Sequence, residues 1–302
     1  MMQANDKQAR LTVDLQKIAG NAAEIRRNCG VAVLGVVKAD AYGLGAKRVA
    51  EAIAPSVEGF CVFSLSEAAG LWEIGRKPIL VLHPNPDESA EQFLALHTRP
   101  AVWDAEMAAR LRAARPALCV DTGMQRFACP VDEIDAVLAA GECKEAFTHA
   151  TRVEHAKHLR DLLGGRGLRL HAAASLLLNE PAARLDAVRP GLAMYRAAVR
   201  VAARLAEARD SGKPAGYTGF VTPRFGVILR GYFHGLRVGP CMVNGNRRRI
   251  LEVGMQSAYV EIGKSDRIGD EVVLLGEGLS EAEVAGAWGT TEHECLTRLA
   301  RM

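Results

Sequence analysis

The sequence predicts an α/β protein in which a TIM-type (β/α)8 barrel is followed by a mainly antiparallel β domain. From Ala9 to about Tyr195, short apolar runs alternate with longer amphipathic stretches, which is typical of parallel βα units. Eight such runs can be marked, the number that a closed barrel requires. After about Arg196, strand-like runs are separated by Gly, Pro and Asn turns without helices, which indicates an antiparallel sheet.

The barrel strands are predicted in order from the apolar runs. They are residues 31–37, 60–65, 78–82, 99–102, 117–120, 146–149, 168–171 and part of 186–195. Helices are predicted between them at residues 45–53, 66–74, 104–114, 131–140, 153–163 and 175–185. The same periodicity is compatible with an open, doubly wound sheet of similar strand number.

The second domain is predicted from residue 197 to residue 302, after a barrel domain of residues 1–196. Its strands are expected at residues 225–232, 249–253, 257–262 and 271–275. Asn244 and Gly245 form a typical hairpin turn. Residues 280–283 and 291–294 each match the S/T-x-x-E capping box, so two short helices are expected near the end.

Composition narrows the class of function. The 302 residues are 49% hydrophobic with a formal net charge of +3, which is too small to indicate a nucleic-acid or anionic-membrane surface. No apolar run approaches the roughly 20 residues of a spanning helix, and the start has no signal-peptide core, so we expect a cytoplasmic protein with a small-molecule partner. Seven cysteines without CxxC spacing argue against a disulfide framework or a zinc ribbon. No metal site is predicted, because His155 and His158 have no third ligand nearby and are expected on a solvated helix face.

The first barrel strand leads directly into Lys38. Catalytic residues of βα barrels lie at the carboxyl ends of the strands. A partly desolvated lysine there can have a lowered pKa, which suits an amine that forms a Schiff base. A lysine in a salt bridge at the barrel rim explains the position equally well.

Later strand ends are also polar. They carry the segments Asp121–Arg126, Thr148–His149, His171–Ser175 and Arg189–Tyr195. Small residues, a serine before a helix and a glycine after an arginine can form a phosphate cradle, although each feature by itself is usually a cap or a turn. Together with Lys38 they suggest a phosphorylated carbonyl cofactor, naturally pyridoxal phosphate. A Schiff-base aldolase needs the same groups, and spacing does not separate the two.

Five blocks of the chain resemble the alanine racemase family, in the same order. Residues 36–45, VVKADAYGLG, resemble its cofactor-lysine motif, with Leu44 in place of the usual histidine. The others are VDTGMQR at 120–126, HAAAS at 171–175, VRPGLAMY at 188–195, and the paired segments GYTG at 216–219 and GYFHG at 231–235.

The resemblance implies a fold-type III enzyme that uses pyridoxal 5'-phosphate and forms a head-to-tail homodimer with shared active sites. Lys38 would bind the cofactor as a Schiff base and act as one acid/base, and Tyr217 from the partner subunit would be the other. Racemisation requires two such groups on opposite faces of the substrate Cα, because one removes the α-proton and the other returns a proton. The activity implied is the interconversion of L- and D-alanine, or of another small amino acid.

The resemblance also implies the roles of the remaining site residues. Arg189 would face the pyridine nitrogen, supported by His149, and Arg126 would reach the cofactor phenolate and the substrate carboxylate. The phosphate would be held by Tyr42, Ser175, Gly191 and Leu192, and Met255 and Tyr232 would contact the substrate or line its entrance.

Several positions depart from the family pattern. Besides Leu44, Ala174 replaces an asparagine, Cys119 stands where some members have a carbamylated lysine, and several loops are shorter. These departures suggest, as alternatives, a pyridoxal-phosphate-binding protein without racemase activity or a racemase for a different amino acid. A decarboxylase or eliminase of the same fold type is disfavoured, because an arginine at the ring nitrogen opposes its protonation.

Overall fold

A computed structural model describes residues 9–301, and its internal contacts group them into two compact units. Residues 15–195 form one unit. Residues 9–14, which contain strand β1 (Ala9–Val13), group with residues 196–301 in the other.

The unit of residues 15–195 is a closed barrel of eight parallel strands, which confirms the predicted fold class. Each strand pairs with the next, and the last pairs with the first. Most strand residues are buried, because side chains fill the interior and helices cover the outside. The strands are β2 (Ala32–Val36), β3 (Gly59–Val62), β4 (Ile79–Val81), β5 (Thr98–Val102), β6 (Ala117–Cys119), β7 (Glu145–Ala150), β8 (Arg169–Ala174) and β9 (Ala187–Arg189).

The helices of this unit alternate with its strands. They are α1 (Leu15–Cys29), α2 (Ala46–Ile53), α3 (Ala90–Ala95), α4 (Ala105–Arg110), α5 (Ile134–Gly141), α6 (Val153–Leu163), α7 (Pro181–Arg184) and α8 (Leu192–Tyr195). Two predicted helices are wrong in extent. Residues 66–74 form only the 3-10 helix Leu65–Ala68, because the chain turns at Gly70 with a φ of 76°. Residues 175–185 divide into the 3-10 helix Ser175–Leu177 and α7, where Pro181 starts a new helix.

The other unit is an antiparallel sheet with the strand order β1-β10-β11-β14-β13-β12-β15, in which β10 also pairs with β15. Its further strands are β10 (Val199–Asp210), β11 (Arg224–Ile228), β12 (Gly239–Val243), β13 (Asn246–Val253), β14 (Ala258–Glu261) and β15 (Glu271–Leu275). The Asn244–Gly245 turn joins β12 and β13 as predicted. The expected closing helices are α9 (Glu281–Trp288) and α10 (Glu292–Leu299). Their caps are Ser280 and Thr291, whose hydroxyl groups each accept a backbone N–H at 3.2 Å.

Two strands of this unit were not predicted, namely β1 and β10. Strand β1 pairs with β10 in a register from Ala9 opposite Ala203 to Val13 opposite Val199. The predicted assignment of the N-terminal segment to the barrel is therefore corrected for residues 9–14, and residues 1–8 lie outside the described part. A strand whose partner lies about 190 residues away leaves no local signal of where it pairs.

Three observations concern the predictions made from composition and residue spacing. Among residues 9–301, no helix has the length and apolar character that crossing a membrane requires. All seven cysteines are buried and unbridged. The expectation of a solvated face at His155 is wrong, because this side chain is buried and its Nδ1 accepts the Thr151 N–H at 3.4 Å.

Candidate active site

Lys38 lies at the start of a left-handed turn that follows β2. The four residues Ala39–Tyr42 have φ angles of 52° to 63°, a conformation that non-glycine residues adopt at a cost. Backbone bonds from Ala41 N–H to the Val37 carbonyl and from Gly45 N–H to the Asp40 carbonyl, at 2.8 and 2.9 Å, close the turn. The same short segment therefore presents both Lys38 and Tyr42 at the carboxyl end of the barrel.

The surroundings of Lys38 favour its neutral amine. Burial is the largest cause that lowers the pKa of Lys38, and the positive charges of Arg126 and Arg189 lower it further. Glu67 and Cys61 act in the opposite direction. A half-buried lysine with a lowered pKa suits an amine that attacks a carbonyl or accepts a proton.

An anion cradle lies between β8, β9 and the lysine turn. The Ser175 hydroxyl accepts the N–H groups of Gly191 and Ala193 at 3.1 and 3.0 Å. A Cβ on Gly191 would collide with the Tyr42 hydroxyl, so only glycine permits this approach. Two hydroxyl groups and backbone N–H groups next to the start of α8 therefore converge, as a phosphate site requires. Leu192 is buried at the first position of that helix.

Tyr42 is itself enclosed. Its side chain is buried, and burial raises the pKa of its hydroxyl to about 12, so the phenol stays protonated and can donate a hydrogen bond. Its ring packs against that of Tyr195 at 5.0 Å between centroids. The Tyr195 hydroxyl in turn donates to the Val36 carbonyl at 2.7 Å, which anchors this layer to β2.

Arg189 ends β9 with its guanidinium inside the barrel, where it is only 4% exposed. Its Nη2 donates to the Thr148 carbonyl at 2.6 Å and its Nη1 to the His171 carbonyl at 3.2 Å. Nη1 also bonds Nδ1 of the His171 imidazole. The guanidinium lies over the Phe147 ring at 4.7 Å from its centroid. These contacts fix the orientation of a buried positive charge.

His171 belongs to a buried chain of charged and polar groups behind Arg189. Its Nε2 lies 2.8 Å from one oxygen of Glu145, whose other oxygen accepts a bond from Arg99 at 2.9 Å. Because a carboxylate only accepts, the imidazole proton is on Nε2 and Nδ1 is the acceptor for Arg189. Burial and the charge of Arg189 lower the pKa of His171 to about 4, so the ring is neutral near pH 7.

Glu145 is ionised despite its position. Burial by itself would raise its pKa, but the hydrogen bonds from His171 and Arg99 and the positive charge of Arg99 lower it to about 2. Glu145, Arg99 and His171 were not predicted as functional residues. A histidine or glutamate within an otherwise apolar strand run is the sequence signal that could have indicated them.

His149 was predicted to support Arg189. The imidazole that the structure brings onto this guanidinium is that of His171. His149 lies one residue beyond Thr148 with an exposed side chain, and its contact with the cofactor or Arg189 stays a prediction.

Arg126 is exposed in the loop after β6, close enough to lower the pKa of Lys38. The loop is shaped by Asp121, whose carboxylate accepts the N–H groups of Gly123 and Gln125 at 2.8 and 3.0 Å. Cys119 is buried, and burial raises the pKa of its thiol to about 12. A protonated thiol supplies no negative charge to Arg126, unlike a carbamylated lysine.

The predicted residues of the C-terminal unit are exposed on firmly held loops. Tyr217 is 94% exposed, whereas the carboxylate of Glu252 accepts the N–H groups of Tyr217 and Thr218 at 2.9 and 2.7 Å. Tyr232 is 56% and Met255 61% exposed, and the Tyr232 N–H donates to the Gly254 carbonyl at 2.9 Å. The backbone is thus ordered around side chains that point to solvent.

Both units match models of known families. A model described as the alanine racemase N-terminal domain matches residues 13–199, and one described as the alanine racemase C-terminal domain matches residues 199–302. The chain belongs to the alanine racemase family. This confirms the resemblance carried by the five sequence blocks, and it confirms the barrel followed by a β domain as the family fold.

Relatives in the family cover nearly the whole chain. An alanine racemase of Carboxydothermus hydrogenoformans is 29% identical over 95% of this chain and 96% of its own length. The crystal structure of the biosynthetic alanine racemase from Pseudomonas aeruginosa is 27% identical, with a TM-score of 0.87 and 97% coverage of both chains. The structure of the Bartonella henselae alanine racemase, which contains covalently bound pyridoxal phosphate, shares the fold at 23% identity, a TM-score of 0.86 and 97% coverage of both chains.

Proposed function

We propose that the protein is a pyridoxal 5'-phosphate-dependent racemase that interconverts L- and D-alanine. Its two acid/base groups are Lys38 and Tyr217 of a second subunit. One observation carries the proposal: a single left-handed turn presents both Lys38 and Tyr42, and the Tyr42 hydroxyl packs against Gly191 beside the Ser175 cradle. Family membership and relatives with this activity support it.

The residues of the barrel fit the chemistry of this cofactor. Its aldehyde needs an amine, and Lys38 is a half-buried amine with a lowered pKa. Its phosphate needs hydrogen-bond donors, which the Tyr42 and Ser175 hydroxyl groups and the Leu192 N–H would offer. Gly191 would contribute by its missing side chain, because its N–H donates to Ser175 and a Cβ there would collide with the Tyr42 hydroxyl. Its pyridine nitrogen needs a donor, and Arg189 is a buried guanidinium of fixed orientation. When bound, the cofactor withdraws electrons and makes the α-proton of an amino acid acidic.

The two bases act at the substrate Cα from opposite faces. Lys38 Nζ removes or returns the proton on one face, and the lowered pKa of this amine favours its proton-accepting form. Tyr217 Oη does the same on the other face. In the reverse direction the two residues exchange roles, which gives both enantiomers.

Arg189 restricts the reaction to racemisation. A guanidinium has only donors, so Arg189 would donate to the ring nitrogen of a bound cofactor and would keep that nitrogen unprotonated. His171 and Glu145 keep the guanidinium in place, because Nδ1 of the neutral imidazole is the acceptor that it needs. Arg126 binds the substrate carboxylate, His149 supports the cofactor, and Met255 and Tyr232 line the substrate entrance.

A homodimer completes the proposed site. Tyr217, Tyr232 and Met255 are largely exposed on ordered loops, which is expected of side chains that meet a second copy of the chain. We propose a head-to-tail dimer in the cytoplasm, where buried, unbridged cysteines such as Cys61 and Cys119 are typical. The role proposed is D-alanine biosynthesis. A single species of monomer mass in sedimentation velocity, with activity intact, would contradict the shared site.

A racemase for a different amino acid is the second candidate. Four rings lie beyond the carboxyl ends of β3 to β6 and pack together, with centroid separations of 4.1 to 5.6 Å. They belong to Phe63, His83, Trp103 and Phe127. An aromatic wall on the catalytic side of the barrel could accept a larger side chain than the methyl group of alanine. The third candidate, a cofactor binder without activity, is favoured by the uncharged Cys119 near Arg126.

The decisive experiment measures α-proton exchange of the purified protein in D₂O. The absorption spectrum is recorded first, L-alanine and then a panel of L-amino acids are added, and the products are separated by chirality. A yellow protein that incorporates deuterium and forms D-alanine supports the proposal. Faster exchange on an amino acid with a larger side chain supports the second candidate. A yellow protein without exchange on any amino acid supports the third.

A further inference from the structure

A carboxylate outside the predicted site contacts the lysine turn. Glu67 lies in the 3-10 helix Leu65–Ala68, just after β3. Its Oε1 accepts the N–H of Ala39 at 3.0 Å, and its Oε2 accepts the N–H of Phe63 at 2.7 Å. The side chain therefore joins the turn after β2 to the loop after β3, with both oxygen atoms in use.

The bond between the Ala39 N–H and Glu67 influences the direction in which the Lys38 side chain points. The Ala39 nitrogen belongs to the peptide plane between Lys38 and Ala39, so the bond to Glu67 fixes the backbone next to the point where the lysine side chain leaves it. The four left-handed residues that follow cost about 1 kcal/mol each and persist only if the surroundings hold them. Asp40 holds the far end, where its Oδ1 accepts the Ala46 N–H at 2.6 Å. Glu67 holds the near end.

The charge of Glu67 has a second effect. Lys38 is acted on by Arg126 from the loop after β6, by Arg189 from the end of β9, by the Cys61 thiol of β3, and by Glu67. Both arginines lower the pKa of Lys38, in addition to burial. Among these described groups, Glu67 is the carboxylate that opposes them.

We propose that Glu67 is a positioning residue for Lys38, which fixes the peptide plane after the lysine and balances the positive charges of Arg126 and Arg189 that act on its amine. This inference rests on the proposed function, since it concerns the amine that would bind the cofactor. A glutamine at this position keeps the size, but its NH₂ group cannot accept from the second N–H and its charge is lost. An aspartate keeps the charge on a shorter side chain.

The experiment compares Glu67→Gln, Glu67→Asp and the control Glu88→Gln. Glu88 also accepts a backbone N–H within its own loop, that of Asn85 at 2.8 Å, but it is not among the groups that act on Lys38. Competitive acetylation of the cofactor-free protein, followed by peptide mass spectrometry over a pH series, measures the pKa of Lys38 itself. Titration with pyridoxal 5'-phosphate, followed by absorbance, measures cofactor affinity in the same samples.

We expect the pKa of Lys38 to fall below its wild-type value in Glu67→Gln, and cofactor affinity to fall about tenfold, as the loss of a hydrogen bond to a charged group implies. Glu67→Asp should restore the pKa more than the affinity, and Glu88→Gln should change neither. An unchanged pKa of Lys38 in Glu67→Gln, whatever its affinity, overturns the inference. If Glu67→Gln does not fold, the test depends on Glu67→Asp. A cofactor affinity of Glu67→Asp equal to that of wild type would also overturn the inference. A wild-type protein that binds no cofactor contradicts the proposed function, while the acetylation result still decides the role of Glu67.

Discussion

The candidate site residues of the barrel and those of the C-terminal unit are held in opposite ways. In the barrel, the side chains at the centre of the site are themselves buried and bonded, as Arg189 is to His171 and Thr148, whereas Arg126 and His149 at its edge are exposed. In the C-terminal unit, the backbone is bonded and the side chains are exposed, as Tyr217 is beside Glu252. The barrel residues thus contribute to the stability of their own unit, and the exposed ones contribute little.

This difference separates stability from activity. A buried charged group that loses its partner destabilises the fold by several kcal/mol, whereas an exposed side chain changes stability by less than about 0.5 kcal/mol. Variants of the two units should therefore fail differently, even where both lose activity. The following predictions test that contrast.

The largest effect is expected for Lys38→Ala. Loss of the cofactor amine and of one acid/base should reduce racemisation by at least about 10³-fold and remove the visible absorption of the bound cofactor. Chiral chromatography measures the racemisation, and absorbance measures the bound cofactor. The control Lys47→Ala, an exposed lysine of α2, should behave as wild type. A Lys38→Ala protein that keeps its colour after dialysis would contradict the assignment.

Tyr217→Phe should separate activity from stability most clearly. We expect turnover to fall about 10²- to 10⁴-fold, because one of the two proton-transfer groups is lost. Cofactor absorbance and the urea midpoint should stay at wild-type values, since the side chain is 94% exposed. Tyr259→Phe, on β14, is the matched control that should keep full turnover. Unchanged turnover in Tyr217→Phe would show that another group supplies the second proton.

Glu145→Gln should instead destabilise the barrel. The amide can accept from only one of the two donors, His171 and Arg99, and leaves the other facing an NH₂ group. We expect a loss of about 4 kcal/mol in the free energy of unfolding, measured in urea. Glu58→Gln removes a more exposed pair with Arg169, at 2.7 Å, and should cost less than about 1 kcal/mol. Equal losses of unfolding free energy in the two variants would show that the buried hydrogen bonds of Glu145 matter no more to stability than an exposed ion pair.

The smallest effect concerns acid stability. The pKa of His171 is about 4 in the folded protein against an ordinary 6.5, so the unfolded chain binds its proton first. The contribution of His171 to the free energy of unfolding is therefore fully present above pH 6.5. It is lost as the pH falls toward 4, which lowers the stability by up to about 3 kcal/mol. Urea unfolding over this range should show the slope in wild type and a weaker one in His171→Asn. The exposed His158→Asn should keep the wild-type slope. Identical slopes in all three proteins would exclude His171 as the cause.

Much of the site could be predicted because its residues directly follow apolar runs. Lys38 follows β2 and Arg189 ends β9, so the strand pattern places both at the carboxyl ends of the barrel. Ser175 and Gly191 could be predicted as a cradle because small residues before a helix serve that purpose. No sequence pattern by itself indicated that Tyr217 is exposed. Its predicted role came from the resemblance of the GYTG segment to the family.

The sequence by itself determined the eight barrel strands, the change to antiparallel pairing near residue 196 and the family, because each of these is written in local periodicity or in short motifs. Only the tertiary structure decided that β1 joins the C-terminal sheet and that Arg99, Glu145, His171 and Arg189 form one bonded chain. It also decided that Ala39–Tyr42 are left-handed and that Glu67 holds them. The physical reason is shared: closing a barrel brings together side chains far apart in sequence, and their hydrogen bonds then select tautomers, charges and backbone conformations that no local pattern specifies.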